Sequence, residues 1–438
     1  MESAIRPIQK FLKSESASGI LLIVATVAAL VIANSPLAHY YHEFWDETKL
    51  SFSFKDFELS KPMHYWVNDG LMAIFFFLIG LEIKREVLSG NLSSVKNSML
   101  PIFAAVGGML VPSLIYFALN FSDSTLLEGW AIPMATDIAF SLGILAMLGK
   151  KVPLPLKVFL AALAIVDDIG AVLAIAIFYT SEINFVALFI ALGGFLLLIA
   201  LNRANARNIW YYIPVAVLLL WLPLLLSGVH ATIAGVLAAF TIPARRKMDS
   251  HKFIDTIHNS LHKLENSELQ QSEFKLSQAE FETIENMQDN YEKVNSPLQK
   301  LEHSLQYFSI FIIMPIFAFA NTGIELSGGN FFSPESATLP LGVVLGLTLG
   351  KPIGITLLSY IAVKTKVADL PPGIDFAHIL GTGLLAGIGF TMSIFITELA
   401  FTTAEFTNTA KLSVLTGSVI AGVAGYFILR AKLTKSSK

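Results

Sequence analysis

The sequence predicts an all-α polytopic membrane protein of about twelve transmembrane helices, with a small extracytoplasmic β-hairpin. Three observations lead there. Of 438 residues, 54% are hydrophobic and only 14% charged, with a mean hydropathy of +0.64; a soluble domain carries about 25% charged residues. Apolar windows of about 17–25 residues, the length that crosses a ~30 Å hydrocarbon layer, recur along the chain. Lys and Arg gather in alternate connections between these windows.

The windows start near Gly19, Trp66, Met99, Glu128, Pro155, Phe185, Trp210, Gly228, Tyr307, Pro340, His378 and Leu412. The first follows "MESAIRPIQKFLKSESAS", which lacks a small-residue cleavage site, so it reads as a retained span and not a signal peptide. The seventh and eighth are divided only by "LLSGVH", which leaves eleven spans as an alternative. With the N-terminus in the cytoplasm, the inside segments hold 25 of the 30 Lys and Arg, from Arg6, Lys10 and Lys13 onward. The outside segments hold Lys49, Lys55, Lys61 and Lys411. Positive residues favour the cytoplasmic side, so both termini read as cytoplasmic, and the split supports twelve spans. No basic tract suggests nucleic acid, and the lack of cysteine excludes disulfides and thiolate metal sites.

Two hydrophilic segments interrupt this pattern. "KLSFSFKDFELSK", residues 49–61, alternates Leu50, Phe52 and Phe54, then Phe57 and Leu59, about a Lys55-Asp56 turn. That is a hairpin pattern. An isolated hairpin is marginal in water, so it is expected to pair with a copy from a sister subunit or to lie on its own. Residues 249–295 form a connection far longer than usual. Phe253, Ile257, Leu261 and Leu264 repeat at helical spacing, as do Phe281, Ile284 and Tyr291, predicting a cytoplasmic helical hairpin with one apolar face. His258 and His262 are four apart, but no carboxylate or cysteine pattern completes a metal site. They read as a solvated helix face.

Four ionisable residues lie deep within spans: Asp137, Asp167, Asp168 and Lys351. An ionised side chain at mid-membrane costs about 2.5–3.5 kcal/mol, and one lysine cannot neutralise three aspartates. Such a cluster must bind cations, protons or both. Adjacent helical residues point about 100° apart, so one of Asp167 and Asp168 can face Lys351 and the other an ion. In "GWAIPMATDIAFSLG", Pro133 and Thr136 precede Asp137. In "GTGLLAGIGFTMSIF", four glycines precede Thr391 and Ser393. These residues free backbone groups, which are tolerated only within protein or beside water, so both spans read as broken. Facing half-helix N-termini favour a carboxylate such as Asp137, and facing C-termini a cation such as Lys351.

Seven motifs, in order, resemble those of NhaA-type sodium/proton antiporters: "FFFLIGLEIKREVLSGNL", "IPMATDIAFSLGILAMLG", "AALAIVDDIGAVLAIAIFYT", "SGVHATIAGVLAAFTIP", "MPIFAFANTGI", "LGKPIGI" and "GIGFTMSIFI". The resemblance runs from first span to last and leaves out 249–295. It implies inverted repeats with two broken, crossing helices (4 and 11). Interrupted spans mark binding sites in such transporters, a rule of which NhaA is itself an example and which is therefore not independent evidence. By resemblance, Asp167 and Asp168 bind the transported Na+ and protons, Asp137 with Thr136 sits at the crossing, and Lys351 pairs with a carboxylate or carries a proton. Glu82, Arg85, Glu86, Glu302 and His303 correspond to a cytoplasmic pH-response cluster, with Gln306 where some relatives have a second histidine. The implied activity is secondary active antiport, not enzymatic: export of Na+ and Li+ against H+, electrogenic at two H+ per Na+, pH-regulated, in a bacterial cytoplasmic (inner) membrane. No cofactor is implied. A homodimer held by the 49–61 hairpin is. The chain is expected to form a single transporter domain over 1–438, with 49–61 and 249–295 as additions.

Other classes fit less well. Asp137 and Asp167 resemble an intramembrane aspartic protease dyad, but the second aspartate is doubled, a lysine lies within a span and no Gly-x-Gly-Asp occurs. "GLTLGKP" is too short for a phosphate loop, and Pro352 replaces Ser/Thr. His230 reads as structural. A cation channel or uniporter needs a pore lined by repeated oxygen rings, where this chain offers one compact carboxylate site.

Overall fold

The computed structural model describes residues 15–55, 57–180, 183–266, 277–326 and 337–436. Arg6, Lys10, Lys13, Lys275 and Lys438 of the charge count and Asp56 of the hairpin turn lie outside the described residues. Within them, seven helices are long and apolar enough to cross a membrane, and ten if each sharply bent pair is one span. The fold is therefore helical and multi-pass. Two further expected spans fall short: Met72–Ser89 carries Glu82, Lys84, Arg85 and Glu86, and Thr232–Thr241 has only 10 residues.

The bent pairs are Ser124–Met134 with Ile138–Met147 (43°), Phe376–Ala386 with Phe390–Ala400 (50°), and Ala17–Ala33 with Ala38–Glu47 (120°). The last bend is not foreseen in the sequence. Asn34 fastens it: its amide donates to Leu30 O (2.8 Å) and Ile324 O (2.7 Å) and accepts from the Leu326 N–H (2.7 Å).

The helices are apolar on both faces, one for the core and one for hydrocarbon. On Glu15–Ala33, Leu22, Ala29 and Ala33 are buried while Ile23, Val24, Val27 and Val31 are exposed. Lipid gives helices no hydrophobic reason to associate, so close contact through small residues carries the packing. A Cβ added at Gly107 would lie 2.1 Å from Gly354 O, and one at Gly354 would lie 2.0 Å from Gly107 O. This approach of Val95–Asn120 to Lys351–Lys364 seats Lys351 in the core, wholly buried.

Strands Lys49–Phe54 and Phe57–Pro62 pair antiparallel, with Phe52 opposite Leu59 and Phe54 opposite Phe57. Lys55, at φ 53°, adopts the left-handed conformation that tight hairpin turns use. Trp66 Nε1 donates to Leu50 O (3.3 Å) and Lys61 O (3.2 Å), and its ring meets Phe52 edge-on at 5.3 Å. The hairpin thus leans on its own subunit with Leu59 buried, yet keeps Leu50 and Phe52 exposed.

The long connection forms two helices, Ser250–Asn266 and Gln278–Val294, packed together. The expected single apolar face divides. In the first helix, residues 253, 257, 260 and 264 form the half-buried row, so Leu261, about 100° away from residue 260, turns outward. The second helix turns Glu280, Thr283, Met287, Asn290 and Val294 inward and leaves Phe281, Ile284 and Tyr291 exposed. The base is tied where Lys247 and Met248 N–H donate to Lys293 O.

Candidate functional site

Two helix breaks meet at the centre of the molecule. The Asp137 N–H donates to Ile388 O at 2.7 Å. Every helix end leaves backbone groups unpaired, and hydrocarbon offers no water to satisfy them. Here each broken helix satisfies the other. Asp137 caps Ile138–Met147, its Oδ1 accepting from the Phe140 N–H (3.0 Å). Its Oδ2 accepts from the Thr391 N–H (3.2 Å) and the Thr391 hydroxyl, at the start of Phe390–Ala400. At the opposite poles, Ser393 donates to Ile132 O and Ser141 to Leu385 O, both at 2.7 Å. Lys351 Nζ donates to Met134 O, and the Thr136 hydroxyl reaches Ala386 O at 3.0 Å. The carboxylate thus sits at facing N-termini and the ammonium at a C-terminus, as helix dipoles favour.

Asp167 and Asp168 enter from the unbroken helix Leu154–Phe178. Asp167 Oδ2 lies 3.0 Å from Lys351 Nζ and 2.7 Å from the Thr136 hydroxyl. Lys351 directly follows a wide π-helical turn, Gly346–Gly350, a departure from α-geometry frequent at functional sites. Asp168 faces elsewhere, into a cavity of about 500 Å³ that also touches Asp137 and Thr136 and extends past Glu82 to Lys157 and Gln306. Asp137, Asp167 and Asp168 are each no more than 2% exposed. Asp167 Oδ1 and Asp168 Oδ1 have no hydrogen-bond partner among the described residues. Three donors hold Asp137 and a lysine holds Asp167, so the unbalanced charge falls on Asp168.

All five expected site residues, Thr136, Asp137, Asp167, Asp168 and Lys351, therefore come together. Thr391 is not among these five, although its place directly after the glycine run, at the start of a half-helix, is a legible signal. Of the five expected pH-response residues, three join directly. Arg85 Nε donates to Glu302 (2.8 and 3.0 Å) and Nη1 to Glu86 (2.6 Å), while Glu86 also accepts from the Asn91 N–H (2.8 Å). Glu82 lines the cavity. His303 is exposed and meets Tyr307 edge-on at 5.8 Å, outside these ion pairs. His230 bonds the Tyr179 carbonyl at 2.6 Å, a link between helix ends.

The chain matches the family described as Na+/H+ antiporter 1 over residues 9–429. It is 47% identical to a Na(+)/H(+) antiporter NhaA of Oleidesulfovibrio alaskensis, covering 99% of this chain and 95% of the relative. It is likewise 47% identical to a Na(+)/H(+) antiporter NhaA of Shewanella pealeana, over 98% and 97% of the two chains. A Na(+)/H(+) antiporter NhaA 2 of Helicobacter hepaticus is 42% identical over 98% and 97%.

Proposed function

The chain belongs to the Na+/H+ antiporter 1 family, and from this we propose that it is a secondary active transporter, not an enzyme, that exchanges Na+ for H+. The observation that carries the mechanism is the pair of adjacent buried aspartates, each with one oxygen unpartnered among the described residues, of which Asp168 lines the cavity. Na+ is a hard cation suited to carboxylate and hydroxyl oxygens; Asp168, Asp167 and Thr136 offer them. The same carboxylates cannot hold protons and Na+ together, so binding of one expels the other. An empty, charged site is costly to carry across low dielectric, which couples the two fluxes without leak. Lys351 is an ion-pair partner of Asp167 first and a proton carrier second. Exchange of two protons for one Na+ moves one net charge per cycle, so proton gradient and membrane potential both drive Na+ outward. Li+ is a second substrate, and no cofactor takes part.

The wider reading is a single transporter domain of twelve spans, with Met72–Ser89 and Thr232–Thr241 completing the ten candidates. Inverted repeats cross broken helices 4 and 11 at Asp137. The Lys and Arg distribution supports an inner-membrane protein with both termini cytoplasmic. The exposed Leu50 and Phe52 support a homodimer through residues 49–61. Glu82, Arg85, Glu86, Glu302 and His303 set the pH response beside the 249–295 helical addition. The test is collapse of a respiration-driven pH gradient in everted vesicles on adding Na+, Li+ or K+ between pH 6 and 9. Na+ and Li+ should each release the gradient; Na+ flux without proton movement would contradict antiport.

A further inference from the structure

The central cavity reaches the exposed Gln306 and Tyr307 at one end, and the packing on the hairpin side of it divides into two halves. The hairpin side is sealed in layers built from the same three helices. One turn beyond Thr391, Phe395 meets Phe76 (5.5 Å) and Phe317 (6.2 Å), all three essentially buried. About one further turn along stands Glu398, with His64 before the second span and Asn321 at the end of Met314–Asn321.

The bonds in this outer layer are not of equal strength. On one side, Asn321 Nδ2 donates to Asn68 Oδ1 (2.9 Å) and Asn321 Oδ1 lies 2.8 Å from His64 Nε2. On the other side, Lys411 of the last helix is ion-paired with Glu398. Between these two tight units the contact is long, His64 Nε2 to Glu398 Oε2 at 3.8 Å. The cavity divides the same way, with Phe75, Ile79 and Met314 on one wall and Asp137, Asp168 and Met392 on the other. A seam therefore runs through the molecule, open as a cavity at one end and closed by aromatic rings and one stretched polar contact at the other. Hinge and shear movements of packed bodies are an ordinary way for a protein to open such a seam.

We propose that His64 and Glu398 form a latch on the hairpin side, and that its parting admits ions to Asp168 from that side. Lys411 is a positioning residue: it holds the Glu398 carboxylate toward His64 and stays with it when the seam opens. The proposal rests on the antiporter reading, since only a transporter must expose its site to both faces.

The chain contains no cysteine, so one introduced thiol reports access without background. Met392→Cys places it on the cavity wall below the aromatic layer. Its modification by a membrane-impermeant thiosulfonate, added to the hairpin face of intact cells, measures opening of the seam. His64→Leu leaves the Glu398–Lys411 pair whole and should raise the labelling rate at least about fivefold, the lower end of ordinary conformational coupling. Glu398→Gln should do the same. If that variant fails to fold because Lys411 loses its partner, His64→Leu alone decides. Labelling of folded His64→Leu at the rate of the Met392→Cys parent would overturn the latch. Labelling needs no ion movement, so a failure of the antiport reading would show separately, as a pH gradient that Na+ does not release.

Discussion

Replacing Lys351 by alanine strips Asp167 Oδ2 of an ammonium at 3.0 Å and leaves it the Thr136 hydroxyl at 2.7 Å. Both side chains are fully buried, so no solvent takes over. Removing one member of a buried ion pair costs about 3–5 kcal/mol. A second route bounds the loss: Asp167 can take up a proton instead. For a carboxylate of ordinary acidity that costs about 3 kcal/mol at pH 6 and about 5.5 kcal/mol at pH 8, at ~1.36 kcal/mol per pH unit. The two estimates agree, and the second adds a direction. Lys351→Ala should melt below the parent in detergent, and the deficit should be larger at pH 8 than at pH 6. A parental melting temperature at pH 8, or an equal deficit at both pH values, would refute the buried-pair reasoning.

Gly354→Ala would drive a methyl to 2.0 Å from Gly107 O; the helices must separate, and the yield of folded protein should fall steeply, as size-exclusion profiles of solubilised membranes would show. At Asp375, partial burial raises the carboxyl, but the Lys432 hydrogen bond (2.5 Å), the His378 N–H and the nearby positive charge outweigh it and hold the pKa at about 2. A depressed acid contributes stability above its unfolded pKa and loses it as pH falls toward the folded one. Asp375→Asn should therefore cost the same small amount, under about 1 kcal/mol for a half-exposed pair, across pH 5 to 8, and the difference from the parent should shrink only below about pH 4. A penalty that changes between pH 5 and 8 in thermal melts would count against this. Deleting residues 50–59 should shift the solubilised protein toward monomer while transport persists; an unchanged dimer fraction would sink the hairpin's proposed role.

Much of this fold is legible because a membrane span announces itself by length alone. The window expected from Phe185 begins where Phe185–Arg203 begins, and that from Pro155 lies one residue inside Leu154–Phe178. Pro133 and the glycines before Thr391 mark both central breaks, since in hydrocarbon a freed backbone group needs a protein partner. The 120° bend after Ala33 has a local mark in Asn34-Ser35-Pro36, since proline ends a helix, but the bonds that fasten it are distant: Asn34 bonds Ile324 and Leu326, nearly three hundred residues away. The same limit applies to charge. Sequence counts three aspartates against one lysine, but only the structure supplies the Thr391 and Phe140 donors that satisfy Asp137 and leave Asp168 as the unbalanced group. In the 249–295 addition, spacing does not tell which row of Ser250–Asn266 and Gln278–Val294 packs inward, because apolar and polar rows both satisfy a 3.6-residue period.

Competition between protons and Na+ for Asp168 and its neighbour is tested most directly by the apparent KM for Na+ as a function of pH. If they compete, KM should rise as pH falls from 9 to 6, by up to about tenfold per pH unit for each competing proton, with the maximal rate at saturating Na+ nearly constant. Asp168→Asn should show no exchange at any Na+ concentration. A KM that stays flat across that range, with the maximal rate falling instead, would contradict the competition.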